Sequence, residues 1–170
     1  RYKIDERFNF RAAASSGFRA PSLHQRYFNA TSSLFVDGQI INSGTFTNDS
    51  RPAQLLGIPS LKQETSHSYS AGLTGNFGKL KATIDGYYIR INDRIVYTGN
   101  FTGSNAAGAS EQDKEIYSLL QTANASSARF FANAIDTETK GLDVVLTYNE
   151  NIGKGTLRTD LSGTFVKTNI

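Results

Sequence analysis

Strict alternation over residues 64–97 constrains this chain more than any other feature. The odd positions from 67 to 77 are His67, Tyr69, Ala71, Leu73, Gly75 and Phe77; the even positions from 66 to 76 are Ser66, Ser68, Ser70, Gly72, Thr74 and Asn76. A period of two, apolar against small and polar, is the signature of an extended strand with two differently solvated faces. Gly78 and Lys79 read as a tight turn, and the pattern then resumes. Leu80, Ala82, Ile84, Gly86 and Tyr88 share one face, and Lys81, Thr83, Asp85 and Tyr87 share the other. A helix would scatter these residues round its axis, so the stretch predicts one β-hairpin.

The rest of the chain repeats the device. Phe8, Phe10, Ala12, Ala14, Ser16 and Phe18 alternate with Asn9, Arg11, Ala13, Ser15 and Gly17, a strand ended by Pro21, which cannot donate to a ladder. Leu142, Val144, Leu146 and Tyr148 oppose Asp143, Val145, Thr147 and Asn149 in a fourth strand. After a polar turn over residues 149–155, Leu157, Leu161 and Phe165 oppose Arg158, Asp160 and Thr164 in a fifth. Residues 22–62 read as a long irregular stretch carrying Tyr27, Phe28, Phe35 and Phe46. Ser50, Pro52 and Gly57 mark one short helix there. Residues 99–130 are also irregular, except that Ser110-Glu111-Gln112-Asp113 resembles a capping box ahead of Ile116, Leu119 and Leu120 on one helical face. After Tyr88 the phase changes, so that either a β-bulge lies near Tyr87 and Tyr88 or the strand has left the bilayer by then.

Short turns thus alternate with very long connections. Arg11, Lys81, Asp85, Asp143, Arg158 and Asp160 all fall on the less apolar face. A soluble sandwich also alternates, so parity alone leaves that fold open. Strands of about ten residues tilted near 45° span the roughly 25 Å apolar band of an outer-membrane barrel, whose turns are short on one side and long on the other. The apolar face is thinned by Ala, Gly, Ser and Thr, which suits lipid better than a packed core. Phe8, Phe77, Tyr88, Tyr148 and Phe165 near strand ends suit an interfacial girdle. The expected fold is all-β: an antiparallel meander of about five long strands with short helices in the long loops. With no cysteine, disulfides, thiol chemistry and cysteine-ligated metal are excluded. The net charge of +3 is scattered, so no nucleic-acid partner is expected.

Several motifs resemble one family in order as well as in kind. Gly17-Phe18-Arg19-Ala20-Pro21-Ser22 comes first, then Leu61-Lys62-Gln63-Glu64-Thr65-Ser66 heading a strand that reaches Ala71-Gly72-Leu73. Asp85-Gly86-Tyr87-Tyr88-Ile89, Asn92-Asp93-Arg94-Ile95 and Thr137-Glu138-Thr139-Lys140-Gly141-Leu142 follow. The chain is similar to TonB-dependent outer-membrane receptors, departing at Gln63 where the family usually has proline. The resemblance implies a segment of a 22-stranded transmembrane barrel in the outer membrane of a Gram-negative bacterium, with residues 22–62 and 99–130 extracellular. It implies energised import of a ferric siderophore, haem, cobalamin or an oligosaccharide. The implied partners are that small-molecule nutrient, outer-membrane lipid, and TonB, reached through an N-terminal region absent here. Residues 1–170 would be part of the barrel domain, without the plug and the remaining strands. No enzymatic role and no cofactor are expected. The competing readings are a passive porin or adhesin barrel and a soluble all-β binding module.

Arg19 and Glu64 flank the first long loop with the same parity, and an ion pair fixing the loop base is expected of them. Ligand contact is expected from Arg26, Tyr27 and Phe28, where charge and aromatic surface meet on a loop. His24 and His67 are far apart in sequence, so no metal site is expected. Asp143 and Asp160 face one way, and balance by Arg158 or Lys81 accounts for them without a catalytic role.

Overall fold

Alternation becomes a six-stranded sheet in the computed structural model, which describes residues 1–36 and 38–170. The elements in chain order are β1 (Tyr2–Lys3), β2 (Phe8–Arg19), α1 (Leu23–Tyr27), β3 (Ala30–Val36), β4 (Gln39–Thr45), α2 (Arg51–Leu55), β5 (Glu64–Phe77), β6 (Leu80–Tyr97), α3 (Glu111–Thr122), β7 (Ser127–Arg129), β8 (Phe131–Ile152) and β9 (Gly155–Asn169). The large sheet has the order β1-β2-β5-β6-β8-β9, and β3-β4-β7 form a second, smaller sheet. The chain divides into two compact units. One comprises Arg1–Phe18, Thr65–Asn92 and Asp136–Ile170, and the other Arg19–Glu64 and Asp93–Ile135. They are called the strand unit and the loop unit below.

Both tight turns have the same chemistry. Gly78-Lys79 joins β5 to β6 and Gly153-Lys154 joins β8 to β9, with Gly78 at φ 65° and Gly153 at φ 60°. Positive φ at the first central residue and not the second is the II′ pattern, whose twist matches that of the flanking strands.

β5 and β6 pair without interruption from Phe77↔Leu80 to Thr65↔Asn92, which places Tyr87 and Tyr88 in a regular ladder rather than at a bulge. The backbone departs from regular β geometry further on, at Asp93, where φ is 57°. Of the two readings of the phase change after Tyr88, the ladder overturns the bulge, and the strand continues past the alternating stretch to Tyr97. β8 likewise runs beyond its alternating stretch, with 22 residues. The other departure lies in residues 22–62, which contain a hairpin and a second helix in addition to α2.

The apolar face of the strand unit is open. Leu73, Ile84 and Leu161 are 42%, 48% and 66% exposed, so no second layer among the described residues seals them. Every buried aliphatic or aromatic side chain among the described residues belongs to the loop unit. Aromatic pairs bracket the open face. Phe8 and Phe77 meet edge to face at 5.6 Å, and Tyr69 and Tyr88 stack at 6.3 Å. From Tyr69 to Phe77 the strand climbs about 26 Å, or about 20 Å after barrel tilt, close to the apolar thickness of an outer membrane.

The polar face is held by contacts across glycines. Arg11 on β2 reaches Asp85 on β6, its Nε donating to Oδ1 at 2.7 Å, over the intervening Gly72 of β5. On β8, Gly141 lies directly beneath the Tyr87 ring, and a Cβ there would overlap the ring. Gly141→Val is therefore expected to destabilise the strand unit by about 1–3 kcal/mol, as overpacking does. Adding Tyr87→Ala should recover part of that loss, measured as the urea midpoint of the refolded full-length barrel.

Candidate functional site in the loop unit

The long connections fold on one another. β3 and β4 form an antiparallel hairpin from Ala30↔Thr45 to Val36↔Gln39, and β4 then pairs in parallel with β7, Ser43↔Ser127 to Thr45↔Arg129. Around them Phe46, Ala53, Ile116, Leu120, Ala125, Ala128 and Phe130 form a core. Local chemistry sets each helix. The Ser22 hydroxyl accepts from Gln25 N at 3.1 Å while the Gln25 side-chain Oε1 accepts from Ser22 N at 3.0 Å, a complete capping box for α1. Ser50 caps α2 with proline in the first turn. Ser110 accepts from Asp113 N at 3.0 Å to start α3, and its hydroxyl donates to the Asp113 carboxylate at 2.7 Å, so the reciprocal backbone bond is replaced. α3 then buries Ile116 and Leu120.

Two polar clamps hold the base. Arg19 Nε donates to Glu64 Oε2 at 2.8 Å, a second guanidinium nitrogen donates to Oε1, and Ile95 N also donates to Oε1, at 2.7 Å. Glu64 is the first residue of β5, beyond the tyrosine pair and the apolar band. The Arg19 hydrogen bond holds its carboxyl below the ordinary range; burial opposes this, and the Ile95 N–H adds to it. In the second clamp Lys62 N donates to Asn133 Oδ1 at 2.9 Å, and Asn133 Nδ2 donates to Lys62 O at 3.0 Å and Asp93 O at 2.6 Å. Lys62 also pairs with Asp93 at 2.8 Å.

A cleft of about 110 Å³ is lined by Arg26, Tyr27, Asn48, Asp49, Ser60 and Leu61. Arg26 and Tyr27 are exposed, with the guanidinium 5.7 Å from the Tyr27 ring centroid. Asn48 donates to Pro59 O at 2.7 Å and Phe131 O at 2.9 Å, which fixes its amide and leaves Oδ1 buried without a partner. The Thr47 hydroxyl holds the Asp49 carboxyl below its usual range, its own backbone N–H and the charge of Arg26 adding to this. The cleft thus presents a cation, an anion and an aromatic face. That set suits a polar ligand bearing both acceptors and hydroxyl or amine donors.

Of the three residues read as ligand contacts, Arg26 and Tyr27 line this cleft and Phe28 does not. Phe28 stacks on His24 at 4.4 Å, and His24 meets Phe131 edge to face at 5.8 Å. Phe131 in turn stacks on Tyr97 at 4.1 Å, with the Arg129 guanidinium 5.1 Å from the Tyr97 centroid. Asn48 and Ser60 carried no sequence signal, since only the folded loop brings them beside Arg26. The Ser22-x-x-Gln25 spacing, by contrast, could have disclosed α1.

On the polar face Arg158, Asp160 and Asp143 have local partners. Arg158 Nε donates to Asp160 at 2.8 Å, Thr147 donates to Asp160 at 2.6 Å, and Thr164 donates to Asp143 at 2.8 Å. Asp143 sits opposite Thr164, four positions along β9 from Asp160, so the two aspartates do not form a pair.

An open-edged antiparallel sheet with one apolar exposed face, tight turns alternating with long folded connections, matches the architecture of a segment of a membrane β-barrel wall. The profile of the family described as TonB dependent receptor-like, β-barrel matches residues 1–169, and the chain belongs to that family. It is a family of transporters and receptors serving outer-membrane, TonB-dependent transport in general. No match to the chain is found among curated proteins.

Proposed function

We propose that this chain is part of the wall of an outer-membrane receptor that binds a scarce nutrient from outside the cell and imports it with energy from TonB. The supporting observation is a loop unit with its own core, carrying a cleft of mixed polarity, within a chain matched to the receptor family over residues 1–169. A loop that merely closed a turn would need no such core. Arg26 and Tyr27 make the first contacts in this reading, Arg26 by charge and Tyr27 by its ring face. Phe28 acts indirectly, by stacking on His24 of α1, which in turn meets Phe131. The Arg19–Glu64 pair fixes the base of the loop. The polar-face residues Arg11, Lys81, Asp85, Asp143, Arg158 and Asp160 line the aqueous interior of the closed barrel. Candidate ligands are ferric siderophores, haem, cobalamin and oligosaccharides.

Cells expressing the intact receptor, with and without TonB, should be tested for uptake across ferric chelates, haem, cobalamin and glycans. One ligand should enter only when TonB is present. Arg26→Ala with Tyr27→Ala should then weaken its binding about tenfold or more at unchanged receptor abundance, as loss of a charged contact and an aromatic anchor does. TonB-independent entry of every ligand taken up would overturn the transport reading. Unchanged affinity in the double variant would overturn the site.

A further inference from the structure

We propose that the free edge of β3 binds a linear peptide by strand addition, with the peptide's terminal carboxylate held by Arg26. The site rests on the reading of the loop unit given above and specifies its ligand as a short peptide.

The small sheet has the order β3-β4-β7, so β3 and β7 are its edges. The β7 edge is closed: Phe101 N donates to Ala128 O at 2.7 Å, and Ala128 N donates to Phe101 O at 2.8 Å. Nothing among the described residues pairs with the outer side of β3. The direction of its backbone groups follows from β4. Asn42 O accepts from Ser126 N at 2.7 Å and Phe46 N donates to Arg129 O at 3.1 Å, so the even positions there turn their polar groups toward β7. Opposite residues in an antiparallel ladder exchange either both bonds or none, in alternation. Ser33 opposes Asn42, so Ser33 presents its N–H and C=O outward, and Thr31 and Phe35 do the same. Donors and acceptors thus recur at intervals of about 7 Å, the repeat that an extended antiparallel peptide matches.

This edge is undefended. Edge strands commonly carry a charge, a proline or a bulge against unwanted pairing, whereas Ala30–Val36 has neither charge nor proline and pairs in unbroken register with β4. Thr31, Ser33 and Phe35 are exposed, and Phe35 stands opposite the exposed Ile40, an apolar contact for one side chain of the peptide. Charge sets the direction. The cleft lies at the Ala30 end of the hairpin: Arg26 and Tyr27 come just before β3, and Asn48 and Asp49 just after Thr45, the partner of Ala30. At most about 14 Å of chain separates Arg26 from Ala30. A peptide antiparallel to β3 ends there with its carboxylate. Arg26 is exposed, while Asp49 is already engaged by the Thr47 hydroxyl and its own N–H. The carboxylate therefore meets a cation, whereas a parallel peptide would bring its ammonium to the same guanidinium.

The test immobilises the full-length receptor in neutral detergent and offers it a pool of acetylated hexapeptides of random sequence. The retained sequence is resynthesised as the free acid, as the C-terminal amide, and with alternate amides N-methylated in either of the two phases. Methylation in one phase should abolish binding and in the other leave it within about threefold, because only one set of N–H groups faces β3. Amidation should weaken binding about tenfold, and Arg26→Gln should remove the difference between acid and amide. Ser33→Pro should weaken binding about tenfold or more without unfolding the hairpin, since proline is tolerated where an edge N–H faces solvent. The methylated peptides require no variant to fold. Equal binding in both phases, or of acid and amide, would overturn the proposal. So would Thr31, Ser33 and Phe35 amides protected from hydrogen exchange before peptide is added, since another segment would then cover the edge. A receptor that retains no peptide yet imports another ligand with TonB would sink this site and leave the transport reading standing.

Discussion

Replacing Phe130 with alanine is expected to melt the loop unit while the β5–β6 ladder stays paired. Phe130 is 0% exposed, and its ring lies 6.3 Å from Phe46 and 6.0 Å from Phe101. Its backbone is tied as well, the carbonyl accepting from Thr98 N at 2.9 Å and the amide donating to the Thr98 hydroxyl at 3.0 Å. Truncating a fully buried phenylalanine costs about 3–5 kcal/mol through lost transfer energy and the cavity left behind. A core of this size supports a stability of only a few kcal/mol, so the loss is comparable to the whole. The β5–β6 ladder contains no part of this core. Hydrogen exchange on the membrane-embedded receptor should show α3 amides losing protection while β5 and β6 amides keep theirs. Full protection of α3 would contradict the view that the loops share one core. Phe35→Ala is the contrasting case, since Phe35 is 75% exposed, and it should move stability by no more than about 0.5 kcal/mol.

How much of this was legible in the sequence depends on which solvent each segment meets. β5, β6 to Tyr88, and β9 carry an apolar face and a polar face, so every second residue is constrained and parity discloses the strand. Beyond Tyr88 on β6, and before Lys140 on β8, that constraint ends. The strands continue, but Ile89 and Ile91 no longer mark a face. In the loop unit, the helices were legible where a cap meets a periodic apolar face, as at Ser110 with Ile116 and Leu120. The β3–β4 hairpin was not, because Asn, Ser, Thr and Gly dominate it and its partner β7 lies more than eighty residues away. The cleft shows the same division. Arg26 and Tyr27 stand out as charge beside aromatic surface on a loop, whereas Asn48 becomes notable only once its amide is locked and its carbonyl stranded. Arg19 and Glu64 were legible as a pair because both end strands at the base of one loop. The third partner, Ile95 N–H, is a backbone group and invisible in sequence.

Introducing arginine at Leu73 should be the most damaging change on the strand unit. Leu73 lies midway along β5 between Tyr69 and Phe77, and its partner Ile84 lies midway between Leu80 and Tyr88. Both belong at the centre of the apolar band, where an arginine on the lipid face costs about 2–4 kcal/mol. The same residue at His67, two positions beyond Tyr69 on the same face, should cost less than about 1 kcal/mol, because the headgroup layer hydrates it. Arginine at Ser70, on the polar face, should be close to neutral. Urea titration of the refolded full-length barrel in lipid vesicles measures all three. The gradient along one face discriminates better than any single value. A face sealed by protein would penalise arginine according to local packing, without regard to bilayer thickness. A face wetted by lipid penalises it according to depth, and vesicles of shorter-chain lipid should shrink the Leu73→Arg penalty while leaving Ser70→Arg where it was. Equal costs at Leu73 and His67, unchanged by chain length, would mean that hydrocarbon does not touch this sheet.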